Sequence, residues 1–284
     1  MYDLSKLKLI ASGGQADIYE LDNDRILRVL RNPEDKTFAL AEFSVMKTLK
    51  KMGKEVPMVY EFINVEDKAA IVMERIYGET MLIHMKKKPH KIFTQVKKLA
   101  SLQIESAGSA KGLNLTSIKQ RARHLISKSE MLDSQMKKFV MDIIDELPEG
   151  EDICHGDFHP GNIIISEDKY YVIDWFGVTS GRRLSDIAHT FILLRNTPKI
   201  ESMSKLEHLI TSTVGNLISG RYISNCNKIE HFDWSEFSKW LIVRAAERVY
   251  YGMPSEKANL IRFIKKCMEA DKAKISSNKW WRML

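Results

Sequence analysis

The stretch HGDFHPGN, residues 155 to 162, decides how the rest of the chain is read. It sets an acid, Asp157, and an amide, Asn162, five positions apart, with a Pro-Gly pair between them that turns the backbone sharply. The flanks are short and apolar, Ile153 and Cys154 before and Ile163 to Ile165 after, so the segment reads as a corner between two strands. Twelve positions beyond Asn162 comes Asp174, closing the strand candidate YYVID. The polar turn Ser166 to Lys169 joins IIIS to YYVID and predicts a hairpin. That hairpin sets residue 162, entering its first strand, beside residue 174, leaving its second.

Three oxygen-bearing side chains, Asp157, Asn162 and Asp174, therefore converge. Hard oxygen ligands of this kind suit Mg²⁺, which is bound by one or two carboxylates together with substrate phosphates. A clamp of Asn162 and Asp174 with Asp157 left free meets the needs of phosphoryl transfer, in which the protein mainly positions groups and neutralises charge.

The chain has 284 residues, 44% of them hydrophobic and 29% charged, enough for one large domain or two lobes. No apolar run approaches the ~20 residues that cross a bilayer. The N-terminal MYDLSKLKLI lacks the regions of a signal peptide, so a cytoplasmic location is expected. Cys154, Cys226 and Cys267 are scattered, which suggests neither a disulfide framework nor a zinc ribbon. The net charge of +7 is spread along lysine-bearing helices. No nucleic-acid motif accompanies it, and no nucleic-acid or membrane partner is expected.

Before residue 76 the pattern is β-rich with one helix. Strand candidates cover 7–11, 17–22, 25–30, 57–63 and 69–73, and TFALAEFSVMKTLKKM, 37–52, has helical periodicity with Phe38, Ala41, Val45 and Leu49 on one face. Gly53 is a good stop. The polar segment Glu74 to Thr80 marks a boundary, and helices are predicted over 90–105, 115–128, 131–146, 184–195, 200–221, 234–250 and 255–269. The plan is α+β: residues 1–76 as an N-terminal lobe, a small antiparallel sheet with one helix, and 77–284 as a large, mainly helical lobe that holds the hairpin.

HGDFHPGN followed by VIDW resembles the catalytic loop and metal-binding strand of the aminoglycoside phosphotransferase and choline-kinase-like families, small-molecule kinases with the protein-kinase fold. The resemblance covers about residues 8 to 195. It implies a bilobal fold, ATP and Mg²⁺ as cofactors, a small-molecule hydroxyl as acceptor, Asp157 as catalytic base, and Asn162 and Asp174 as metal ligands. His155 would be structural, and Asp186 would anchor the loop. A protein kinase would show H-R-D and D-F-G, where this chain has H-G-D and D-W-F.

By the same resemblance Ser12, Gly13, Gly14 and Gln15 occupy the place of the phosphate-covering loop. Met73, Glu74 and Ile76 belong to the linker that grips adenine through backbone groups, with Val29 and Ile173 as apolar walls or ordinary core. The family's third-strand lysine is replaced by Arg28, whose planar fork reaches differently from an ammonium. Glu42, fourteen residues on, is the expected ion-pair partner. The substitution is the only support for an alternative, a catalytically impaired nucleotide-binding module of the same fold. Choline, sugars, amino alcohols, thiamine-like alcohols and aminoglycosides all stay open as acceptors; Glu230, Asp233, Glu236 and Glu247 are the acidic residues that a polycation would want.

His155 and His159 alternate about Asp157 as on a metal-hydrolase strand, but the Pro-Gly turn interrupts such a strand and zinc needs three or four ligands. The pair Trp280-Trp281 is expected to dock a terminal helix on the core.

Overall fold

The computed structural model describes residues 2–196 and 204–270, and the Trp280-Trp281 pair lies outside them. In chain order come β1 (Lys8–Ser12), β2 (Ala16–Glu20), β3 (Arg25–Leu30), α1 (Lys36–Lys51), β4 (Val59–Val65), β5 (Lys68–Glu74), β6 (Glu79–Thr80) and α2 (Met81–Lys87). Then follow α3 (Ile92–Ser106), α4 (Ile118–Lys128), α5 (Ser134–Glu146), β7 (Asp152–Cys154), β8 (Ile163–Ser166), β9 (Lys169–Val172) and β10 (Thr179–Gly181). The last helices are α6 (Arg183–Arg195), α7 (Lys205–Ile229), α8 (Trp234–Tyr251) and α9 (Pro254–Glu269). The α+β expectation holds, and the predicted helices match within a few residues except the one expected over 200–221, which ends eight residues further on as α7.

The chain divides into two compact units. The first holds residues 1–88, 110–115 and 155–178, and the second the remainder. The HGDFHPGN loop and the hairpin that follows it fall in the first unit. Backbone pairing is the reason: β6 pairs β8, with Glu79 opposite Ile165, and the Val172 N–H donates to the Glu55 carbonyl. Gly78 makes this approach possible, since a Cβ there would stand 2.1 Å from the Ile165 carbonyl oxygen.

In the first unit five antiparallel strands run in the order β1-β2-β3-β5-β4. Alternation along the central strand β3, Arg-Ile-Leu-Arg-Val-Leu, divides its side chains between two faces. Leu27 and Val29 pack with Val65, Ala70 and Val72 on one, and Leu30 packs with Ala16, Ala39 of α1 and Ala69 on the other. Val29 is thus core, on the face opposite Arg28. Helix α1 begins after the Asn32-capped turn Pro33–Asp35 and ends before Gly53, at φ 74°. Its buried residues are Ala39, Glu42, Val45, Met46 and Leu49. The expected face was rotated: Phe38 is half exposed, and the carboxylate of Glu42 goes inside.

The second unit is a helical bundle in which α6 packs on α7 and α8, α3 on α7, α4 on α8, and α8 on α9. Side-chain caps start several helices: Ser117 for α4, Asp133 for α5 and Asp233 for α8. Short strands β7 and β10 pair with Cys154 opposite Thr179. All three cysteines are buried and free. No described helix is long and apolar enough to cross a membrane.

Candidate active site

The hairpin forms in the register that the sequence suggested. Ile163 lies opposite Val172, Ser166 opposite Lys169, and the Ile173 N–H donates to the Asn162 carbonyl at 3.0 Å. Residues 162 and 174 are therefore neighbours at the open end. The turn that delivers Asn162 is a short 3₁₀ segment, Pro160–Asn162, capped by the His159 ring, whose Nδ1 accepts from the Gly161 N–H at 2.9 Å.

Two hydrogen bonds fix the loop ahead of it. The His155 ring is buried; its Nδ1 accepts from the Asp157 N–H at 3.2 Å, so its Nε2 carries the proton and donates to the Ile173 carbonyl at 3.0 Å. The ring lies 4.6 Å from that of Trp175 and edge-on to Phe158. Gly156, at φ 82°, makes the left-handed step between His155 and Asp157 that a side chain would oppose. His155 and His159 are thus each committed to the backbone. Among the described residues no group of three or more His, Cys, Asp or Glu is placed to hold a metal.

The Asp157 side chain is about half exposed, at 46%. The Asn162 amide nitrogen donates to the Asp157 carbonyl at 2.9 Å and lies 3.4 Å from the Asp157 Oδ2. The Asn162 amide nitrogen is thus spent within the loop. Asp174 follows β9 in a left-handed conformation, φ 63° and ψ 63°.

Arg28 links the hairpin to the sheet. It is buried on β3, with NH1 2.6 Å from Glu42 Oε2 and NH2 3.0 Å from Asp174 Oδ1. The ion pair with Glu42 is the expected one, and the reach to Asp174 is an addition the sequence did not suggest. Glu42 lies at the buried end, where desolvation raises its pKa to about 7 against the opposing pull of Arg28, with the Asp174 charge adding to the rise. A backbone hydrogen bond from Trp175 also favours the ionised form.

The loop Ser12-Gly13-Gly14-Gln15 is exposed between β1 and β2. The Gly13 N–H donates to the Ala16 carbonyl, and the Arg31 N–H donates to the Gln15 carbonyl. Arg31, just after β3, also braces the loop: its guanidinium meets Asp17 Oδ1 at 2.7 Å and the Ser12 hydroxyl, which itself donates to Asp17 at 2.6 Å. These contacts hold the Asp17 carboxyl below its usual range. A Cβ on Gly13 would make only an ordinary contact, one on Gly14 would meet nothing within 4 Å, and neither glycine has a positive φ. The fold itself does not require glycine at either place.

In the linker, Met73 is buried on β5. The Glu74 N–H is spent on the Met58 carbonyl and the Arg75 N–H on the Asp24 carbonyl, while the Glu74 carboxylate accepts from the Met58 N–H. Ile76 is the residue of this stretch whose N–H is not so spent. Ile173 is half buried, its N–H bound to Asn162 and its carbonyl to the His155 ring. Asp186 lies in the second unit, buried, and accepts from Gln103 at 3.2 Å.

Sequence reasoning missed Arg31 and Asp17, which carry no motif, and the aromatic pair Phe38 and Phe176, whose rings stand 5.5 Å apart. The signal for Phe176 was the D-W-F triplet itself, which puts a bulky ring two positions after Asp174.

Comparison with known proteins agrees with this geometry. The family described as "Phosphotransferase enzyme family" matches residues 6–205. Among solved structures the chain is similar to an aminoglycoside-3'-phosphotransferase of type VIII, at 18% identity and a TM-score of 0.60, over 85% of this chain and 92% of that one. It is also similar to a thermostable aminoglycoside phosphotransferase APH(4)-Ia in ternary complex with AMP-PNP and hygromycin B, at 14% identity and a TM-score of 0.62, over 96% and 95%. A third is the amicoumacin kinase hAmiN in complex with AMP-PNP, Ca²⁺ and Ami, at 13% identity and a TM-score of 0.61, over 100% and 93%. No curated protein sequence matches at a significant level. These structural likenesses show the fold, and the family match over most of the chain shows the kinship: the chain belongs to the phosphotransferase enzyme family and is a small-molecule kinase of protein-kinase-like fold.

Proposed function

We propose that this site transfers the γ-phosphoryl group of ATP, bound with Mg²⁺, to a hydroxyl group of a small molecule, and that it does so in the cytoplasm. The observation that carries the reading is the convergence of Asp157, Asn162 and Asp174 on one hairpin end, joined through the hydrogen bonds of Asn162 to Asp157 and of Ile173 to Asn162. Two carboxylates and an amide oxygen form a hard donor set, and Arg28 takes only one oxygen of Asp174, which leaves the other for a cation. The donor set thus fits Mg²⁺, with Asn162 and Asp174 as its ligands. When bound, the ion would neutralise phosphate charge.

Each residue of the chain then has a task. Asp157, half exposed and fixed at its backbone by His155, orients the acceptor hydroxyl and takes its proton. The loop Ser12 to Gln15 covers the phosphates, and its two glycines, unneeded by the fold, leave room for them to approach. Arg28, oriented by Glu42, supplies positive charge beside the metal ligand. Met73, Glu74 and Ile76 border the base, with the Ile76 N–H as donor, and Ile173 is the apolar wall. The division at residue 76/77 into a nucleotide lobe and a helical lobe that selects the acceptor belongs to the same proposal.

Arg28 was the one support for an impaired nucleotide-binding module; its hold on Glu42 favours the active reading. A coupled ADP-release assay over hydroxyl-bearing metabolites and antibiotics tests the matter. Asp157→Ala is expected to abolish transfer while nucleotide affinity stays within about threefold of wild type; equal turnover in the variant removes Asp157 from the mechanism.

A further inference from the structure

Arg28 stands where its family carries lysine, and the structure shows what the larger group does there. One arm of its fork reaches Glu42 on α1 and the other Asp174 after β9, at 2.6 and 3.0 Å. An ammonium is a compact point charge with no such fixed fork. A fork spanning two carboxylates works only if its plane is held, and the group that backs it is Phe176. The guanidinium carbon lies 5.7 Å from the centre of the Phe176 ring, within the range of a cation–π contact. The ring in turn packs on the cluster of Ala16, Leu30, Ala39 and Ala69 and against Phe38.

The chain immediately around Phe176 ties the same parts together. Asp174 is held left-handed, and Trp175 hydrogen-bonds through its backbone to Glu42. Phe176 then turns back over Arg28. Three successive residues thus address the metal ligand, the helix carboxylate and the guanidinium between them.

We propose that Phe176 is a positioning residue for the metal ligand Asp174. By backing the Arg28 guanidinium it keeps the fork across Glu42 and Asp174, which turns the second carboxylate oxygen of Asp174 toward an incoming divalent cation. The inference rests on the reading of Asp174 as a cation ligand given above. Arginine at position 28 and phenylalanine at position 176 then form one device, and neither replaces its part alone. A ring that served only as core filling would tolerate leucine, which keeps apolar volume and loses the π face.

The test measures Mn²⁺ binding by electron paramagnetic resonance in the presence of ADP, without turnover, with melting temperatures alongside. Phe176→Leu is expected to weaken Mn²⁺ affinity about fivefold, the size of a cation–π contact at the weaker end of its range. Phe176→Tyr is expected to restore it. Arg28→Lys is expected to show a similar loss, to which Phe176→Leu adds nothing, because the ring no longer has a planar partner. Phe176→Leu binding Mn²⁺ as tightly as wild type overturns the positioning role, as does an additive loss in the double variant. A wild type that takes up no Mn²⁺ with ADP, and matches Asp174→Asn, overturns the phosphotransfer reading and this inference with it.

Discussion

Asp174 holds a left-handed backbone that a residue with a Cβ adopts at a cost of roughly 1–3 kcal/mol. Asp174→Gly relieves that strain, and the gain is offset by glycine's extra chain entropy and the lost contact with Arg28. The expected result is a melting temperature within about 3 °C of wild type together with loss of Mg²⁺-dependent ADP binding, read by isothermal titration calorimetry. Retained metal-dependent binding would remove Asp174 from the ligand set. Glu42 supplies the second prediction at this scale. The folded state keeps its proton up to about 7, against 4.5 for the group in an unfolded chain. Between those values the folded state binds more protons, so the contribution to stability is fully present below the lower value and is lost as pH rises through about 7. Melting temperatures across pH 5 to 8 should fall less steeply in Glu42→Gln than in wild type. Removing Glu42 without changing Arg28 leaves a buried cation short of a partner, and Glu42→Ala is expected to cost about 3–5 kcal/mol in urea denaturation.

Among the elements, the loop between β1 and β2 separates the needs of the fold from the needs of a ligand most clearly. Nothing in the chain lies within 4 Å of a Cβ at residue 14, and its φ is not positive. Gly14→Ala should therefore leave stability unchanged or slightly raised, since alanine restricts the unfolded chain. It should also raise the KM for ATP several-fold, since the methyl group enters the space left for phosphate. A KM unchanged in a stably folded variant would show that the loop does not cover phosphates. Much of this level was legible beforehand. Short apolar or alternating runs marked β2, β3 and β5, and the 3.6 period marked α1 and most of the bundle, because repeated burial of one face writes its period into the sequence. The buried face of α1 was misjudged by about one position, since its inward residue Glu42 is charged and hides from an apolar count. Helix α2, seven residues long, and the two- and three-residue strands β6, β7 and β10 are too short to carry a period at all.

Across the whole molecule, charge bears on the acceptor. The four acidic residues that a polycation would want are all engaged within the second unit. Glu236 pairs with Arg182 through both oxygens, Glu230 with Arg183, and Glu247 with Arg244 and Arg121, while Asp233 caps α8. Glu247 and Arg244 are fully buried. A pair already formed gives a polycation little, and the chain carries +7 overall. Acceptors with at most one positive charge are therefore expected to show the higher kcat/KM in an ADP-release screen, and a polyamine-like aminoglycoside turned over faster than any of them would contradict this.

The sequence by itself determined the α+β plan, the hairpin with its three oxygen donors, and kinship with the phosphotransferases. Those features are local: a Pro-Gly corner, a four-residue turn and two strands fix the spacing of 157, 162 and 174 within twenty residues of chain. Only the tertiary structure decided what faces them. Arg28 and Asp174 are 146 positions apart, and their meeting depends on β3 lying at the centre of its sheet and on α1 turning Glu42 inward. Side chains so distant in the chain leave no periodic mark on the sequence, because their approach is set by packing between elements and not by the geometry of any one of them.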